Sequence, residues 1–110
     1  MNACSGLNTI QTRAVTHTGG PLCILAGAGS GKTRVVIHRI AHLIENEYQP
    51  PWSILAVTFT NKAAGEMRSR IERLVPGAGE QVQVGTFHSI AARYLRRFGP
   101  LINVSSSFVI

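Results

Sequence analysis

Apolar and polar positions along the chain switch repeatedly between a helical period and short continuous apolar runs. This pattern predicts helix and strand in alternation. The first patterned stretch carries Leu7, Ile10, Ala14 and Val15 at helical spacing, with Asn8 as its N-cap. The apolar run 22–25 reads as a buried strand, because nothing polar interrupts it. A helix is predicted from there to about Glu45, burying Val36, Ile37, Ile40, Ala41, Leu43 and Ile44 and turning Arg34, His38, His42 and Glu45 elsewhere. Residues 54–59 predict a second strand. Thr60-Asn61 caps a helix to about Val75, with Ala63, Ala64, Met67, Ile71 and Leu74 inward and Lys62, Arg68, Arg70 and Arg73 outward. A turn at 76–79 leads to a third strand around 81–85. The helix that follows is predicted to bury Ile90, Ala91, Tyr94, Leu95 and Phe98 and to expose Arg93, Arg96 and Arg97. Gly99-Pro100 breaks it, and 108–110 reads as the start of a fourth strand.

Such alternation implies an α/β fold, a parallel sheet with helices on both faces. Residues 1–6 have no pattern and are expected to be a disordered N-terminus, with 7–110 forming a single, partial domain. Pro50-Pro51-Trp52 ends a connection, with Trp52 expected to pack at the domain edge.

The chemistry concentrates between the first strand and its helix, in Ala26-Gly27-Ala28-Gly29-Ser30-Gly31-Lys32-Thr33. Glycines let backbone N–H groups turn inward as a nest for phosphate oxygens, and the helix start adds its free N–H groups and dipole. Lys32 would meet the outer phosphates of a nucleotide, and the Thr33 hydroxyl would ligate Mg²⁺. The usual pattern has Gly where Ala26 stands, but the other glycines keep the turn possible.

Charge narrows the partner. Eleven basic residues against five acidic ones leave +6, which suits an acidic polymer, although a basic domain charged only for solubility is as consistent with charge alone. The sequence contains no Asp, and none of Glu45, Glu47, Glu66, Glu72 or Glu80 follows an apolar strand-like run. A hydrolase of this type needs such an acid for Mg²⁺ and water, so the chain is expected to be incomplete as an enzyme.

Cys4 and Cys23 do not make a disulfide scaffold, and Cys23 is expected in the core. His38 and His42 stand four apart but have no third ligand nearby in sequence. No apolar run approaches the roughly 20 residues of a membrane span, and the expected compartment is cytoplasmic.

In a parallel sheet ligands gather beyond the carboxyl ends of strands. There the turns Thr58-Phe59-Thr60-Asn61 and Thr86-Phe87-His88-Ser89 each offer a ring, hydroxyls and a helix start. These features suit a single nucleic-acid strand. The ordinary reading makes Phe59 and Phe87 core residues, which is expected of one of them; Phe59 with His88 leans toward nucleic acid. Gln11 on its own reads as a solvated helix residue.

Leu7-Asn8-x-x-Gln11, the stretch 26–34 (AGAGSGKTR), the stretch 54–67 (ILAVTFTNKAAGEM) and 86–89 (TFHS) occur in this order and spacing in UvrD/Rep/PcrA-type superfamily 1 DNA helicases, which the chain resembles from Leu7 onward. The resemblance implies a P-loop NTPase (RecA-like) fold and an ATP-driven 3′→5′ motor on single-stranded and duplex DNA. It makes Gln11 the reader of adenine, reversing the reading above, and places Arg34 near the base. Ala26, Gly27, Ala28, Gly29, Ser30, Gly31, Lys32 and Thr33 would hold ATP and Mg²⁺, while Phe59, Asn61, Thr86 and His88 would contact DNA. It also implies that the Asp-Glu element, the phosphate-stabilising arginines and a second motor domain lie beyond Ile110. The competing readings are the motor of a helicase–nuclease, a binding module without turnover and, less well supported by the charge and the polar turns, a small-molecule kinase.

Overall fold

Two short strands, β1 (Leu55–Thr58) and β2 (Gln83–Thr86), pair in parallel with Leu55 opposite Gln83 and Thr58 opposite Thr86. They belong to a computed structural model that describes residues 4–27, 29 and 31–108. Parallel neighbours need a crossover, and the chain supplies it with α3 (Asn61–Leu74) and the short α4 (Ala78–Gln81). Thr60 opens α3 with its hydroxyl accepting the Ala63 N–H.

The turn predicted at 76–79 holds more structure than expected. Gly77 adopts a left-handed φ of 90° and begins α4. The Glu72 carboxylate accepts the N–H groups of Gly77 at 2.6 Å and Gly79 at 3.1 Å. A Cβ on Gly79 would come within 2.8 Å of the Glu72 Cβ and 3.0 Å of the Arg68 carbonyl, so this close approach requires glycine.

The core gathers Ile37, Ile40 and Ala41 of α2 (Lys32–Glu45) with Ala64, Met67 and Ile71 of α3. Ala56, Val82 and Val84 from the sheet region, with Val75 and Ala78 from the connection between them, complete it. Arg68, expected to face outward, sends its guanidinium back to the Val84 carbonyl at 2.6 Å, satisfying an acceptor on β2. α1 (Thr9–Thr16) docks on α2. One Arg39 nitrogen donates to the carbonyls of Ala14, Val15 and His17 at 3.1, 3.1 and 2.9 Å, placing a cation on the end of α1 where its dipole is negative. Cys4–Gly6, patternless in sequence, closes a turn whose Gly6 carbonyl accepts from Arg34.

Several expectations are corrected. The run 22–25 is no strand: it lacks a ladder partner among the described residues, leaving Leu22, Ile24 and Leu25 exposed and Cys23 exposed with them. An apolar run becomes a strand only where another strand answers its backbone N–H and C=O groups. The described sheet therefore has two strands. The buried stripe of α2 includes Val35 and leaves Val36 39% exposed, because α1 lies across a side of the helix that periodicity alone left undefined. α5 (Phe87–Phe98) buries Ile90 and Ala92, while Ala91, Tyr94, Leu95 and Phe98 are exposed, since little in the described chain packs on its second half. Trp52 is 65% exposed, in a 3₁₀ turn where its carbonyl accepts from the Gln83 amide. Phe108 joins no strand and lies under the Arg96 guanidinium, and residues 109–110 of that expected strand fall outside the described residues. No helix among the described residues is long and apolar enough to cross a membrane.

Candidate nucleotide and nucleic-acid site

The glycine-rich stretch runs directly into α2. Gly31 is the N-cap in the left-handed region with φ 87°, and Gly29 has φ 76°. Both positions would strain any residue with a Cβ. Lys32 and Thr33 are the first two residues of α2, both exposed, and no acid stands in its first turn. The positive end of the dipole, the free N–H groups, an ammonium and a hydroxyl therefore share one place, and this chemistry suits phosphate. Ala26 and Gly27 are exposed beside them, whereas Ala28 and Ser30 lie outside the described residues.

Gln11 reaches this loop from α1. Its Oε1 accepts the Asn8 N–H at 3.1 Å, and the Asn8 side chain accepts the Gln11 N–H at 2.8 Å, a reciprocal cap that orients the side chain. Its Nε2 would lie 3.0 Å from a Cβ on Gly31. A cavity of about 200 Å³ has Gln11, Ala26, Lys32, Ile24, Leu25 and Val35 in its lining. Positions 11, 26 and 32, far apart in sequence, thus surround one space. Arg34 turns another way. It donates to the Gly6 carbonyl at 2.9 Å and lines a separate cavity of about 270 Å³ with Arg70, Arg73 and His38 around Ile37 and Leu74.

The second cluster forms where β1 and β2 end. Because Thr58 pairs with Thr86, the residues after them emerge side by side. Phe59 is 87% exposed and Phe87 52% exposed, with ring centroids 5.2 Å apart and planes tilted by 41°. Asn61 and His88 are exposed in the first turns of α3 and α5, neither of which contains an acid. Thr86 sits differently. It is buried, and its hydroxyl accepts the Ser89 N–H at 3.1 Å and donates to the Ser89 Oγ at 3.0 Å, capping α5.

The sequence reading set the Phe87 ring in this turn but expected one of Phe59 and Phe87 in the core and carried only Phe59 with His88 toward nucleic acid, and it gave Arg39 no part in the docking of α1. A signal for Phe87 was present in the repeated Thr-Phe at both strand ends. Arg39 left none, because its acceptors are main-chain carbonyls more than twenty residues away. His38 and His42 gather no third ligand among the described residues, and His42 Nε2 lies 3.7 Å from a Glu47 oxygen.

Comparison with known proteins shows the family. Residues 7–110 match the model of the UvrD/REP helicase N-terminal domain. The chain is 50% identical over 106 residues to the ATP-dependent DNA helicase PcrA of Bacillus subtilis, covering 96% of this chain and 14% of that protein. It is 53% identical over 107 residues to the PcrA helicase of Leuconostoc citreum, with 96% and 14% covered. Against the PcrA helicase of Staphylococcus aureus it is 50% identical over 111 residues, with 100% and 15% covered. The chain thus spans about one-seventh of the length of these curated relatives. With its glycine-rich helix start, its polar strand ends and this match along nearly its whole length, the chain belongs to the UvrD/REP helicase N-terminal domain family.

Proposed function

We propose that this chain is the ATP-binding and DNA-contacting part of a 3′→5′ DNA helicase motor with a P-loop NTPase fold. The observation that carries the reading is the cavity shared by Gln11, Ala26 and Lys32 at the start of α2. In it the amide of Gln11 addresses the adenine edge, and Lys32 with the N–H groups of the helix start addresses the phosphates. Thr33 offers an oxygen to Mg²⁺, whose role is to draw charge from the phosphates. Arg34, which the resemblance placed near the base, donates to the Gly6 carbonyl and lines a separate cavity, so the reading of the adenine rests on Gln11.

Phe59, Asn61 and His88 face a single DNA strand, the ring stacking on a base and the side-chain and main-chain donors taking phosphates. Thr86 supports this surface by capping α5. Duplex separation belongs to the whole motor. The absence of Asp from the sequence supports a second reading, in which these residues bind nucleotide and DNA without turnover of their own and the water-activating acid comes from outside them.

Binding of a fluorescent ATP analogue tests the first site. Lys32→Ala is expected to weaken it at least tenfold, because the loop loses its ammonium while no other cation among the described residues lines the cavity. Affinity within twofold of the parent would remove the assignment.

A further inference from the structure

The paired strand ends hold a ring that the reading above leaves without a task. We propose that Phe87 is a second DNA-contacting residue, forming with Phe59 a single two-ring platform for one unpaired base. The inference rests on the single-strand role of Phe59 and extends it to Phe87, for which the ordinary reading of the sequence is a core residue.

Three observations support it. The first is register. Thr58 opposite Thr86 forces the next residue of each strand to leave the sheet at the same edge, so the two rings are neighbours by construction of the ladder. The second is exposure. Phe59 remains 87% and Phe87 52% exposed even though each has the other to cover it. An exposed aromatic pair leaves apolar faces that a stacked base can cover. The third is the surround. α3 and α5 begin beside the rings with no acid in either first turn, and their caps use the Ala63 and Ser89 N–H groups, leaving the earlier N–H groups of each helix without intrahelical partners. Apolar faces between two positive helix ends suit a base flanked by its phosphates, and the net charge of +6 acts in the same direction.

The spacing also selects how the base sits. Stacked bases rise about 3.4 Å, so a base inserted between two rings would need roughly twice that. At 5.2 Å the rings are too close for insertion. The base instead lies across the pair, flat on Phe59, with its edge against the tilted Phe87 ring.

The test uses single-stranded DNA oligonucleotides carrying 2-aminopurine, whose fluorescence is quenched when it stacks. They are titrated into the full chain and into its Phe59→Ala, Phe87→Ala and Phe87→Leu variants, with melting followed in parallel. Both alanine variants are expected to weaken binding by about 5- to 150-fold, the range for loss of one stacked base, and to lose the quench on saturation. The double variant should lose less than the product of the two, because both rings serve one base. Phe87→Leu keeps an apolar side chain at the strand end and should retain the melting temperature while losing affinity and quench. It decides the matter if Phe87→Ala fails to fold. Loss of affinity and quench in Phe59→Ala, with parental values for both in Phe87→Leu, would overturn the role of Phe87 while leaving that of Phe59. No change in Phe59→Ala would overturn the single-strand reading itself, and the platform with it.

Discussion

The β1–α3–β2 unit and the segment from Pro21 to Gly31 are both apolar or small-residue stretches flanked by helices, yet they reach opposite ends. In the first, Ala56, Val84, Met67 and Ile71 are buried and the strands satisfy each other's backbone. In the second, Leu22, Ile24 and Leu25 face outward and no ladder forms among the described residues. The difference is pairing. β1 and β2 lie one crossover apart, and α3 both connects them and covers them, so the unit completes its own hydrogen bonds and its own core. Among the described residues, those that share cavities with 22–26 come from α1, α2 and their flanks, which offer side chains but no strand edge.

A hierarchy of stability follows, and three substitutions probe it. Ile71→Ala removes the centre of the packed unit, where the side chain is 1% exposed, and is expected to cost about 2–5 kcal/mol by denaturant melting. A loss below 1 kcal/mol would mean that the unit is not the stable part. Arg39→Met keeps most of the stem but leaves the carbonyls of Ala14, Val15 and His17 without their cation. A loss of about 1.5–3 kcal/mol is expected, as for hydrogen bonds to a charged group, with α1 amides showing the greatest gain in hydrogen exchange. Uniform exchange gain across the chain would show that α1 has no stability of its own to lose. Leu25→Ser changes a side chain 92% exposed and is expected to shift stability by no more than about 0.5 kcal/mol. A large loss would reveal that the run 22–25 is packed, and would erase the contrast.

The same contrast bears on the two sites. Phe59 and Phe87 stand at the ends of the paired strands. The glycine-rich loop leads into the start of α2, and Arg39 ties the end of α1, which carries Gln11, to that helix. If the hierarchy holds, Arg39→Met should disturb nucleotide binding and leave single-strand binding alone.

Much of this was legible in the chain. Helical spacing located α1, α2, α3 and α5, because each has a stripe of apolar residues and, for α1, α3 and α5, an Asn or Thr in place as cap. The glycines before Lys32 announced a turn into a helix, and the structure gives Gly29 and Gly31 the left-handed conformation that only glycine takes without strain. Periodicity failed where the answer depended on a neighbour. It chose Val36 over Val35 and buried Tyr94 and Leu95, because it knows the direction of a stripe but not what stands opposite. It also read 22–25 as a strand from composition, and a strand is a property of two segments.

The amino-acid sequence by itself therefore determined four of the helices with their caps, the Gly-rich, Lys-Thr composition of 26–33 and the family to which the chain belongs, since all of these are local in residue order. Tertiary structure alone decided that Gln11, Ala26 and Lys32 share one cavity, that Arg34 turns to another, and that Phe59 and Phe87 meet ring to ring. The physical reason is common to all three. Each depends on the register of a ladder or on the docking of one helix upon another, and both are settled by packing across the molecule, with no signature at any single position along the chain.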